Sequence, residues 1–182
     1  EATKPSHPNG SGMATTTTNP TLSTFEQSLA DLGVDCTRTT AEDFATTLAD
    51  IVRDPAVGVP LPFDVDYPDS VTVDPTPAEL ERAETGVTPA SYGVANYGSV
   101  LLPSTDDGAE LVSLYPKLHV PVVRASDVLP GLPEALDRFG DAAREEDLSA
   151  IVATGPSATA DMGELVLGAH GPEAVHVVML DE

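Results

Sequence analysis

The run Thr154-Gly-Pro-Ser-Ala-Thr159 is polar, turns at Gly155-Pro156 and leads into Asp161. Ser157, Thr159 and Asp161 are helix-capping residue types, so the spacing predicts a helix that ends near Gly168. Such a start offers free backbone N–H groups and the positive end of a dipole, which suits a phosphate or carboxylate. Two residues oppose that use. Asp161 already places negative charge in the first turn, and Ala158 supplies no counter-charge. The run therefore has two readings: ligand contact, or a turn that only ties a strand to a helix.

A second polar group lies upstream, where Thr88, Asn96, Tyr97 and Ser99 could hydrogen-bond a polar ligand. Gly93 and Gly98 equally suit a tight hairpin with no ligand at all. His119 sits between Leu118 and Val120, with Lys117 before it and Arg124 after. Lys117 either meets a ligand carboxylate or pairs with a neighbouring acid on the surface. His170 precedes the Gly171-Pro172 turn, within reach of a ligand there, and His176 alternates with valines as a sheet residue would. No histidines stand four apart, so no helix-borne metal motif exists and no metal is expected. There is no Gly-rich nucleotide fingerprint and no nucleophile elbow around Ser157, so no cofactor and no catalytic residue is assigned. Cys36 follows Asp35, whose charge disfavours a thiolate nucleophile.

The elements that must hold these groups alternate between helix and strand. Helices are expected at Thr24–Asp31, from Thr40 through Val52, from Thr76-Pro77 to before Gly86, and from Gly131 to Phe139. Strands are expected at Ala56–Val59, Val71–Val73, Tyr92–Asn96, Ser99–Pro103, Leu111–Leu114 and Leu118–Val123. A final pair, from Ile151 and from Val175 to Leu180, reads as a parallel unit joined through the helix after Ser157. The class is α/β, three layers with a mainly parallel central sheet. Ligands of such sheets sit beyond the carboxyl ends of the strands. Asn96, Ser157 and His119 are expected to share one cleft there.

The 182 residues suit one domain, read as 23–182, behind a low-complexity tail at 13–22. Residues 1–12 read as an expression remnant ahead of Met13. Acidic residues number 30 against 8 basic, a net charge of −22, and lysine is nearly absent. The acids are spread along the chain as a coating, which repels itself until molar salt shortens the screening length to about 3 Å. That pattern implies the cytoplasm of a salt-in halophile of haloarchaeal type, with an ordinary acidic protein as the alternative. Nucleic-acid binding is disfavoured because little here would neutralise phosphates. No apolar run is long enough to span a membrane. A single cysteine cannot supply the four ligands of an iron–sulfur cluster.

Three stretches also carry a family resemblance. Gly155-Pro-Ser-Ala-Thr-Ala-Asp-Met-Gly-Glu-Leu-Val-Leu-Gly-Ala-His-Gly-Pro172, running on to Asp181, resembles the closing signature of LUD-domain proteins of the LutC lactate-utilisation type. Gly86-Val-Thr-Pro-Ala-Ser-Tyr-Gly-Val-Ala-Asn-Tyr-Gly-Ser99 is similar to that family's central segment, and Pro116-Lys-Leu-His119 to its Pro-x-x-His strand. Together they span roughly residues 80 to 182. The resemblance implies a fold like the sugar-phosphate isomerase and CoA-transferase superfamily. It implies an accessory or ligand-binding role in oxidising L-lactate to pyruvate, with iron–sulfur partner proteins and a small anionic ligand. The family pattern has an arginine at the place of Ala158 and acids at those of Ser91 and Asn96. The missing acids argue against the alternative, a stand-alone isomerase, CoA-transferase or folate-ligase-like enzyme on a phosphorylated or carboxylated substrate. A structural or regulatory relative with a decayed site is the third reading.

Overall fold

Short runs rich in valine and threonine supply the strands, because β-branched side chains fit a pleated, buried surface. The computed structural model describes residues 19–146, 149–161 and 164–181, so the remnant and most of the tail lie outside the described residues. Six runs form the central sheet: β1 (Asp35–Thr40), β2 (Ala56–Gly58), β3 (Val71–Val73), β4 (Thr85–Pro89), β7 (Leu118–Arg124) and β12 (Ala174–Asp181). Their order is β1-β12-β7-β4-β2-β3, and every neighbouring pair is parallel. Parallel pairing requires crossovers and leaves both faces to be covered.

Alternation along the strands sorts the core into two halves. Val120, Val122, Val178 and Leu180 point to the face covered by Phe44 and Leu48 of α2 (Phe44–Ile51). Val123, Val177 and Met179 point the other way, onto Leu22, Phe25 and Leu29 of α1 (Pro20–Asp31). On this second face α4 (Ala109–Leu114) also packs, so closely that a Cβ on Gly86 would run into the Val112 carbonyl oxygen. The α/β reading with a mainly parallel sheet and helices on both faces is met.

Outside α1 lies a second sheet of four strands, β5 (Tyr92–Val94), β6 (Ser99–Pro103), β8 (Val128–Leu129) and β9 (Ala150–Thr154), in the order β8-β5-β6-β9. Beneath it Val94 and Leu129 bury Ala135 of α5 (Leu132–Glu146). The remaining elements are the four-residue helix α3 (Pro77–Leu80) and the hairpin of β10 (Ala158–Asp161) and β11 (Glu164–Leu167). As expected, Thr76 and Glu79 form the capping box of α3.

Three expectations are corrected. Leu111–Leu114 is helix, not strand: Gly108, at φ 76°, turns the chain into α4, and a run this short carries no decisive period. The segment after Ser157 is the antiparallel hairpin β10–β11, not a helix. Its β-branched Thr159 and Val166 pair across it, Gly155 (φ 65°) and Gly168 (φ 77°) bend the chain at its two ends, and Gly168 N–H donates to the Ser157 carbonyl at 2.9 Å. Finally, β9 and β12 are not a parallel pair, since β9 runs antiparallel to β6 in the other sheet. Among the described residues no helix is long and apolar enough to cross a membrane.

Candidate functional site

The strand order reverses between β2 and β4. From β2 the chain moves outward to β3; from β4 it moves through the second sheet and α4 to β7 on the opposite side. Loops leaving such neighbours part and open a crevice at their carboxyl ends. A cavity of about 490 Å³ lies there, lined among others by Leu61, Phe63, Ser91, Asp107, Arg124 and Asp127. The Pro60-Leu-Pro-Phe63 stretch after β2 forms one wall and Pro89-Ala-Ser91 after β4 another. Arg124 is the last residue of β7. Its guanidinium lies 5.0 Å from the Phe63 ring centroid, and Nη2 donates to the Pro62 carbonyl at 3.4 Å. Stacking and this bond hold the fork at the strand end, and a guanidinium has five N–H donors to share with a ligand carboxylate.

A smaller cavity, of about 210 Å³, lies between the two sheets at the amino ends of β7 and β12. His119, Thr154, Gly155, Ser157 and His170 line it together with apolar groups from β6, β9, α4 and β12. Alternation on β7 turns His119 away from the α2 face, and Val175, its register neighbour on β12, faces the same space. His119 is 2% exposed, and its Nε2 lies 2.9 Å from the Thr88 hydroxyl. Burial drives its pKa down to about 3, so the ring is neutral. Ser99 meets Thr154 hydroxyl to hydroxyl at 2.7 Å on the same wall.

Thr88, Ser99, His119, Gly155, Ser157 and His170 are thus brought to or directly behind one cavity. It is at the amino ends of the strands, not the carboxyl ends. Asn96 stands elsewhere, exposed in the 3-10 turn Ala95–Tyr97 beside Gly131, and Tyr97 is 56% exposed. Lys117 makes a surface pair with Glu84 at 2.8 Å. Thr159 and Asp161 belong to β10, and Ser157 N–H is bonded to the Pro172 carbonyl at 2.9 Å, so no helix start faces an anion. His176 is half-buried, 2.8 Å from the Thr37 hydroxyl, with its pKa lowered by burial against the opposing pull of Asp35. Burial, with Glu26, pushes the Cys36 thiol up to about 12, which removes it as a nucleophile at neutral pH. No group of three or more metal-ligating side chains occurs among the described residues.

The larger cavity is poorly signalled in the sequence. Ser91 stands out there, but Phe63, Asp107 and Asp127 do not, because strand order is what converges them. The proline-bracketed Pro60–Phe63 run after a strand is the available clue.

Comparison with known proteins fits this architecture. A "DUF162 family protein" of Deinococcus radiodurans superposes with a TM-score of 0.68 at 23% identity, covering 88% of this chain and 96% of that one. "Uncharacterized protein YkgG" of Escherichia coli is 33% identical over 109 residues, 57% of this chain and 47% of its own length. "Lactate utilization protein C" of Deinococcus radiodurans is 29% identical over 171 residues, 87% of this chain and 79% of its own. The protein of that name in Bacillus subtilis is 31% identical over 112 residues, 57% of this chain and 45% of its own. The match thus spans about half the length of YkgG and of the Bacillus protein. The sequence profile of the LUD domain matches residues 22–180, nearly the whole described chain, and the chain belongs to that family.

Proposed function

We propose that this chain is a ligand-binding subunit of the lactate utilization protein C kind, holding a small carboxylate such as lactate or pyruvate at Arg124. The observation that carries this reading is a stacked guanidinium at the carboxyl end of β7, in a cavity where the strand order reverses. Several relatives bear the name lactate utilization protein C. The chain has one cysteine, so electrons removed from lactate would pass to iron–sulfur partner proteins rather than to a cluster of its own. Its net charge of −22 supports work in the salt-rich cytoplasm of a halophile, where the acids stay hydrated and screened.

One observation favours a second reading, a stand-alone enzyme. Asp107 and Asp127 line the same cavity and supply carboxylates that Ser91 lacks. Calorimetric titration of the chain in high KCl with lactate, pyruvate and phosphate tests the first reading. Arg124→Gln is expected to weaken carboxylate binding about 10- to 100-fold, since a hydrogen bond to a charged group contributes about 1.5–3 kcal/mol. Equal affinity in the variant, or no binding by the wild type, refutes it. Turnover of lactate or a phosphorylated substrate by the isolated chain would favour the second reading.

A further inference from the structure

We propose that the cavity between the two sheets is a second binding site, for a small neutral molecule with an apolar, ring-sized body and one amide-like hydrogen-bonding group. Three observations lead there. The first is charge: in a chain with 30 acidic and 8 basic residues, no Asp, Glu, Lys or Arg among the described residues lines this space. An ion entering it would lose hydration without meeting a counter-charge, which costs more than any single contact returns. The second is shape and lining. Leu102, Leu114, Ile151 and Val175 form apolar walls around about 210 Å³, and a dry cavity of about 150 Å³ already accepts one benzene ring.

The third observation is His119. Thr88 occupies its Nε2 at 2.9 Å, and no described residue makes a hydrogen bond to Nδ1. Yet no buried side-chain nitrogen or oxygen among the described residues is left without a partner, so Nδ1 is not sealed within apolar packing. His119 is one of the residues lining the cavity, which is the space such an atom can reach. The ring, neutral through burial, presents there either a donor or an acceptor, and its partner hydroxyl on β4 sets which. An amide offers both roles on one planar end. The Ser157 hydroxyl and the exposed His170 lie on the same lining and can meet the other polar atom. This site is separate from the Arg124 cavity: the two share no lining residue.

Three probes of nearly equal size separate the possibilities: benzamide, benzoate and toluene, titrated in high KCl while the histidine ring nitrogens are followed by NMR. Benzamide at millimolar concentration is expected to bind one to one and move the His119 ring signals. Toluene should bind several-fold weaker for want of the hydrogen bond, and benzoate at least about tenfold weaker for its buried charge. Ala153→Leu places three more carbons on the cavity wall and leaves the Arg124 cavity untouched. It should lower benzamide affinity at least about tenfold without changing lactate binding. Should that variant not fold, the wild-type ring signals decide alone. Benzamide leaving the His119 signals unmoved, benzoate or toluene binding as well as benzamide, or a folded Ala153→Leu chain binding benzamide normally would each overturn the proposal.

Discussion

Lowering the pH from 8 to 5 should cost this fold about 2 kcal/mol through His119 alone. In the folded chain burial holds the ring neutral, with a pKa of about 3 against the ordinary 6.5. The unfolded chain therefore binds a proton below pH 6.5 that the folded chain refuses. Stability is complete above 6.5, falls as the pH drops, and reaches its limit near pH 3. Between 6.5 and 5 lie about 1.5 pH units at about 1.4 kcal/mol each, giving about 2 kcal/mol. The magnitude needs only a folded pKa well below 5. Urea unfolding in high KCl at both pH values reads it, but His176 (shifted the same way) and 30 carboxylates titrate too. The difference must therefore be taken against a double variant, Thr88→Val with His119→Leu. Removing both partners leaves no orphaned polar group, so the variant should keep most of its stability at pH 8. It should lose about 2 kcal/mol less than the wild type on going to pH 5. Parallel losses in the two proteins, or a His119 ring that titrates near 6.5, refute the reasoning.

Other outcomes follow from the same geometry. Gly86→Ala should destabilise the chain by about 1–3 kcal/mol or more, because the new Cβ meets the Val112 carbonyl oxygen and approaches Pro116 Cγ to 2.9 Å; an unchanged urea midpoint contradicts the close approach of α4. Thr88→Val alone should cost about 1–3 kcal/mol by stranding His119 Nε2, measured at pH 8. Lys117→Ala should leave the melting temperature unchanged, because its pair with Glu84 is exposed. The melting temperature should rise steeply from about 0.1 M to about 3 M KCl, and a flat profile contradicts the screening argument.

Much of the frame is legible in single runs. β7 and the valines of β12 announce themselves because central strands of a parallel sheet are covered on both faces and so read as continuous apolar stretches. β4 does not announce itself: Thr85-Gly-Val-Thr-Pro89 carries little apolar signal, although all five residues are buried. Its glycine exists for α4, and its Thr88 for His119, reasons that lie on other elements. β1 is hidden for a different cause. As an edge strand it buries only Thr39, and Arg38 faces out to pair with Asp181 at 2.6 Å. The hairpin after Ser157 reads as a helix because Ser, Thr and Asp open helices and turns alike, and the bonds that decide come from Pro172 and Gly168. Local chemistry nominates His119, Ser157 and His170. Only the pairing of distant strands shows that they meet, and that Arg124 and Phe63 do so elsewhere.

Among the described residues the outermost strand β1 has β12 as its one neighbour, across 139 residues of chain between Thr37 and His176. As the polypeptide leaves the ribosome, β1 must wait unpaired until every element between it and β12 has been made. Such a late zip-up slows folding and exposes a naked edge to neighbouring nascent chains. A net charge of −22 gives those neighbours reason to keep apart while the edge waits.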